Sequence, residues 1–178
     1  MDIILILIII ISLLAMLYIK IYNNIAIEKT KIEKVESIID NDLRTKYDII
    51  SKIDDIISKN IKTNKDYLKD YRNIKNQELS NFNIDRILKE TENIIKNLYD
   101  DEKELQKNDS LKESLRDLYE IDEKITSGII YYNNHTSILN EYIRKIPNNL
   151  VAITHNIKPK PFFDGKDMTD DNIFDFKI

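Results

Sequence analysis

The stretch IILILIIIISLLAMLYI, residues 3–19, holds one polar side chain, Ser12, among apolar ones. At about 1.5 Å rise per residue it makes a helix of roughly 25 Å, near the lower limit for crossing a bilayer. Tyr18, Lys20 and Tyr22 follow, the residue types with which a span meets the headgroup layer. A cleaved signal peptide would need a basic start and a small-x-small cleavage site. Here Asp2 follows Met1, Ala15 is followed by Met16 and Leu17, and no cysteine offers a lipoprotein site. The run therefore reads as a retained anchor, residues 1–22. It has no pair of small residues four apart, because Met16 follows Ser12 at that spacing, so helix dimerisation through the span is not indicated.

Charge gives an orientation. Asp2 is the only charged side chain before the span, whereas Lys20, Lys29, Lys31 and Lys34 follow it. Lysine and arginine excess marks the cytoplasmic side. The expectation is a single-pass protein of the cell (inner or plasma) membrane, N-terminus out, C-terminal domain cytoplasmic. The absence of cysteine fits a reducing compartment.

Outward from the anchor, the chain lacks the residues that make turns. Of 178 residues two are Gly and three Pro; the first Gly is Gly128 and the first Pro is Pro147. Such a stretch must be built from long helices. Ile32, Val35, Ile39, Leu43, Tyr47, Ile50, Ile53, Ile57 and Ile61 form one apolar stripe that continues the span without a break. Asp40–Arg44, Asp42–Lys46, Asp48–Lys52 and Asp55–Lys59 place an acid four residues before a base, worth about 0.2–0.5 kcal/mol each. These charges read as a solvated face. Thr63, Asn64 and Asp66 mark the first stop.

A second helix is expected over 66–105, with Tyr71, Ile74, Phe82, Leu88, Ile95, Leu98 and Leu105 inward and a weak point at 80–83 where it is split or kinked. Ser110 and Glu113 have capping-box spacing, which starts a third helix at Leu111. That helix carries the cleanest heptad, coiled-coil-like, from Leu111 to Ile146, skipping Asp122 and Thr136, and Pro147 ends it. The fold class is all-α: a single N-terminal transmembrane helix, then an antiparallel up-and-down bundle of three long helices plus a short fourth near 148–156. Out, back and out again would leave 106–110 near the bilayer and Pro147 far from it.

Chemistry-bearing patterns are sparse. Nucleic acid is not indicated as a partner: pI 5.3, net charge −4 and no basic stripe. His135 and His155 lack any zinc-ligand spacing and read as ordinary surface or bundle-end residues, with no metal. The acid clusters, and Asp164–Gly165–Lys166–Asp167, read as solvated acid; the glycine is misplaced for a calcium loop. No cofactor and no catalytic residue is indicated. Asn133 and Asn140, seven apart beside the heptad seam, either fix register or hydrogen-bond a neighbouring helix, or form a docking surface.

From Tyr132 the chain reads YNNHTSILNEYIRKIPNNLVAITHNIKPKPFFD. Tyr132 with Asn133, Leu139 with Asn140, Ile146 with Pro147, the segment around Ala152, and the close Pro159, Lys160, Pro161, Phe162, Phe163 resemble the LemA family. Tyr22 with Asn23, Asp40, Leu43 and residues 47–50 resemble the family's first helix, so the resemblance runs from the anchor to Phe163. Leu139 stands where that family usually has Tyr, Ile146 where it has Phe, and Ser51 where it has Pro. The resemblance implies an anchored antiparallel helical bundle (residues 23–163) in a bacterial membrane, with no established enzymatic activity.

The tail, residues 164–178, is acidic and expected to be disordered alone. Phe174 and Phe176 punctuate it like anchors for a partner or for the bundle end, which Phe162 and Phe163 would cover. The functional expectation is a membrane-tethered interaction or scaffolding protein without catalytic activity. The alternative is a regulatory subunit of a membrane enzyme such as a protease or transporter. Beyond the lipid bilayer, the partner is a protein of unknown identity, and a homo-oligomer is possible.

Overall fold

A computed structural model describes residues 2–60 and 68–165, all-helical with no strand among them. The helices are α1 (Asp2–Asn60), α2 (Lys69–Asn73, extended by a 3-10 turn over Ile74–Asn76), α3 (Asn81–Asp101), α4 (Lys103–Gln106), α5 (Asp109–Arg144) and α6 (Asn148–Thr154). The apolar run and the helix that follows it are one unbroken helix of 59 residues. It starts with side chains that nothing in the protein covers: Ile3 to Ile19 are all exposed among the large apolar residues there. It is long and apolar enough to span a membrane.

Two compact units divide the chain. One comprises residues 1–35 and 131–178, the other 36–130. In the first, Asn24 meets Tyr142 and Glu28 meets His135, so α1 and α5 are antiparallel there. Its core holds Ile21, Ile25, Ile32, Val35, Tyr132, Leu139, Ile143, Val151 and Ala152.

In the second unit the expected helix 66–105 is not one rod. Gln77 is extended and Ser80 adopts a β conformation, its hydroxyl accepting from the Asn83 N–H at 3.3 Å. Ser80 thus caps a new helix, α3: of the two outcomes expected at this weak point, the split is the one that occurs. Glu102, again extended, separates α3 from α4. Lys96 lies near Tyr119 and Lys112 near Tyr99, so α3 and α5 are antiparallel. The break at 77–80 adds a reversal to the path. This is why α5 runs toward the anchor instead of away from it. Pro147 therefore lies in the anchor-bearing unit, and residues 106–110 in the other, the reverse of the expected placement. The start of α5 also differs: Asn108, not Ser110, is the cap, its Oδ1 accepting from the Leu111 N–H at 3.0 Å.

The stripe on α1 is buried as expected at Ile32, Val35, Ile39, Leu43, Ile50, Ile53 and Ile57. Its three-and-four spacing puts a core position at 46, not 47. Lys46 occupies it with no exposed surface, so it does not belong to the solvated face. Its Nζ meets Glu92 of α3 at 2.9 Å and Asp122 of α5, the residue that interrupts the heptad. Glu92 also binds Lys96 at 2.8 Å. By contrast Asp40 and Arg44 do pair on the surface, at 3.0 Å. On the same unit Arg72 grips Asp54 at 2.8 and 3.1 Å. The buried Tyr71 hydroxyl donates to the Tyr47 carbonyl at 3.3 Å, and burial pushes its phenol well above the ordinary range.

Candidate functional site

In the anchor-bearing unit the sequence brings four segments together: α1 up to Val35, α5 from Tyr131, α6, and residues 157–165. The connection from α5 to α6 is short, and Asn148 Nδ2 donates back across it to the Tyr142 carbonyl at 3.0 Å. The end of α6 then meets the end of the apolar run. Tyr18 Oη lies 2.8 Å from His155 Nε2 and 3.3 Å from Thr154 Oγ1. The His155 ring also packs on Tyr22, centroids 4.6 Å apart.

His135 is not at the surface. Its side chain is 12 % exposed and its Nδ1 contacts Glu28 Oε2 at 2.5 Å, while Glu28 Oε1 takes Lys31 at 2.8 Å. Burial alone would raise the Glu28 pKa, but hydrogen bonds and charge from Lys31 and His135 outweigh it and hold the carboxyl below 4.5. A carboxyl lowered in the folded state contributes stability that is present above its unfolded value. That contribution is lost as pH falls through the folded one. Wild type is therefore expected to lose stability below about pH 4.5 more steeply than Glu28→Gln. Thermal melts of the two proteins from pH 6 to pH 3 check this, and parallel curves would refute it.

The segment 157–165 is fastened along α5. Asn140 is fully buried; its Nδ2 donates to the Lys160 carbonyl at 2.7 Å and its Oδ1 accepts from the Lys160 N–H at 2.8 Å. Asn133 Oδ1 accepts from the Phe163 N–H at 2.9 Å. Tyr132 lies between them: its hydroxyl donates to the Pro161 carbonyl at 3.2 Å, and its ring faces Lys160 Nζ and the edge of Phe163. The two asparagines thus hold the chain's own returning backbone, one heptad apart; their partner is this non-helical segment rather than a neighbouring helix. Phe162 and Phe163 are half-buried, and Phe163 lies against α5 within the anchor-bearing unit. Phe174 and Phe176 lie outside the described residues.

Between this segment and α1 runs an open groove of about 330 Å³. Lys29, Glu33, His155, Ile157, Lys158 and Pro159 line it, and it continues past Tyr22 and Ala26. Cationic side chains outnumber the one carboxylate in this lining. Among the described residues, no group of three His, Cys, Asp or Glu side chains converges as a metal site.

Two features escaped the sequence reading. The Lys46–Glu92–Asp122 cluster was signalled by a lysine at heptad spacing between Leu43 and Ile50, and by the gap at Asp122. The pairing of Tyr18 with His155 bridges positions far apart in sequence and had no local signal.

No match is found among curated proteins or among solved structures. A family model, LemA family, matches residues 35–174. It starts after the anchor and reaches past Phe163, covering the α5 tyrosine-asparagine pattern and the segment clamped on it. With most of its length matched in this way, the chain belongs to the LemA family.

Proposed function

We propose that this chain is a membrane-tethered interaction or scaffolding module without chemistry of its own, N-terminus out and bundle in the cytoplasm. The observation that carries the reading is the continuity of α1, in which the lipid-suited run passes without a break into the helix that follows it. The lysines that follow the span support the orientation, and the open, cation-lined groove supports binding over catalysis.

In-cell crosslinking with mass spectrometry tests the role. Self-crosslinks together with several protein partners are expected. One stoichiometric membrane enzyme as the only product would replace the scaffold by the regulatory-subunit reading. For orientation, a reporter fused after Ile178 is expected to be active only in its cytoplasmic form. Digestion of the bundle by protease added to intact cells would reverse the topology.

A further inference from the structure

We infer that α6 is a second membrane contact: its outer face lies in the headgroup and upper acyl layer beside the span. This rests on the membrane reading of residues 3–19. Helix α6 has two faces. Val151 and Ala152 are buried against the unit's core, whereas Ile146, Leu150 and Ile153 are 83 %, 61 % and 73 % exposed. Leu150 and Ile153, three apart within α6, share its outer face, and Ile146 is exposed in the turn that precedes the helix. Large aliphatic side chains exposed together in water are unfavourable, so this face needs an occupant.

The position of α6 says which one. Tyr18, in the last turn of the apolar run, holds Thr154 and His155 directly, and Tyr22 packs on His155. Tyrosines at this place mark the headgroup level. When residues 3–19 cross a bilayer, α6 is therefore carried to the same depth. The span itself is short. Its length of about 25 Å falls several ångström below a hydrocarbon core of about 30 Å. Apolar surface beyond Ile19 is needed to meet the remaining acyl chain, and the α6 stripe supplies it next to the span. An amphipathic helix lying in the interface is the physical form of such a contact. The apolar surface of the span and that of α6 are thereby covered by one solvent.

The natural chain has no cysteine, so single-cysteine variants carry one label each. Full-length L13C, L150C, I153C and Y119C proteins, each labelled with an environment-sensitive fluorophore, are reconstituted at low density in phosphatidylcholine vesicles. Quenching by nitroxide attached to the lipid acyl chain is then measured. Labels at residues 150 and 153 are expected to be quenched at least about threefold more than the label at 119, approaching that at 13. The labelled positions outside the span are exposed, so the substitutions leave the core intact. Strong quenching at 13 with water-like signals at 150 and 153 would overturn the α6 contact alone. Absence of quenching at 13 would overturn the membrane reading together with it. A blue-shifted signal at 153 without nitroxide quenching would place a second protein copy on the stripe and likewise overturn the inference.

Discussion

Replacing Lys46 with methionine is expected to destabilise the protein by about 3–5 kcal/mol, the usual cost of removing one partner from a buried ion pair. Lys46 has no exposed surface, and it is the cation on which α3 and α5 converge through Glu92 and Asp122. The loss would fall mainly on Glu92. Asp122 keeps a 25 % exposed side chain and can turn toward water, while Glu92 is 8 % exposed and would retain Lys96 alone. For a chain of this length the melting temperature should fall by on the order of 10 °C. The triple variant K46M/E92L/D122L should behave differently. With all three charges removed no carboxylate is stranded, and similar cases are neutral or stabilised by about 1–4 kcal/mol. Circular-dichroism melts of the full chains in detergent micelles would decide. A single variant as stable as wild type, or a triple variant no better than the single, would refute the account. The cluster takes one charge from each of three helices, so it also ties their registers together. A slide of α5 by one heptad would carry Asp122 away from the lysine.

The same residues show what the sequence could and could not disclose. Long helices were legible because glycine and proline are nearly missing and because apolar residues recur at three and four. That signal is strong over the length of α1 and α5 and needs no tertiary information. It was also legible that Asp122 interrupts a heptad, but the reason lies on other helices, at Lys46 and Glu92. The direction of α5 was misjudged because it depends on how many times the chain reverses before it. The extended turn at 77–80 adds to that number. Ser80 stood out as a weak point, yet a kink and a cap have the same local sequence, and only the packing of α2 and α3 distinguishes them. The family pattern near the C-terminus was visible as words. Its physical content, side-chain amides gripping a returning backbone, needed the fold. Asn133 and Asn140 were ambiguous between docking and fixing because an amide one heptad from another serves either use. The long apolar helix was readable from composition alone, whereas the apolar face of α6 was hidden among Val151, Ala152, Leu150 and Ile153, whose sides only the packing sorts.

Asn140→Ala is expected to release the 157–165 segment. The wild-type amide satisfies both the N–H and the carbonyl of Lys160, and its side chain has no access to water. Alanine would leave two backbone groups without that partner and an empty site beside Leu139 and Ile143. Each lost bond in such a setting costs about 1–3 kcal/mol. The helices themselves should stay folded, because Asn140 bonds only to the segment and not across α1 and α5. The effect should therefore be local. Trypsin is blocked at Lys158 and Lys160 by the prolines that follow them, Pro159 and Pro161, so the probe is a broad-specificity protease such as proteinase K. It is expected to cut within residues 157–165 of the variant several times faster than in wild type, while helical content changes little. Asn140→Asp adds a discriminating control. Its carboxylate still accepts from the Lys160 N–H but cannot donate to the Lys160 carbonyl, and it places a charge in a buried site, so it should be no more protected than the alanine variant. Asn133→Ala should release less, since it loses one bond, from the Phe163 N–H. If Asn140→Ala left cleavage unchanged, the segment would be held by Tyr132 and its aromatic contacts with Phe163 and Lys160 rather than by the amide pair. If it instead lowered the helical signal across the whole melt, the clamp would be part of the cooperative core.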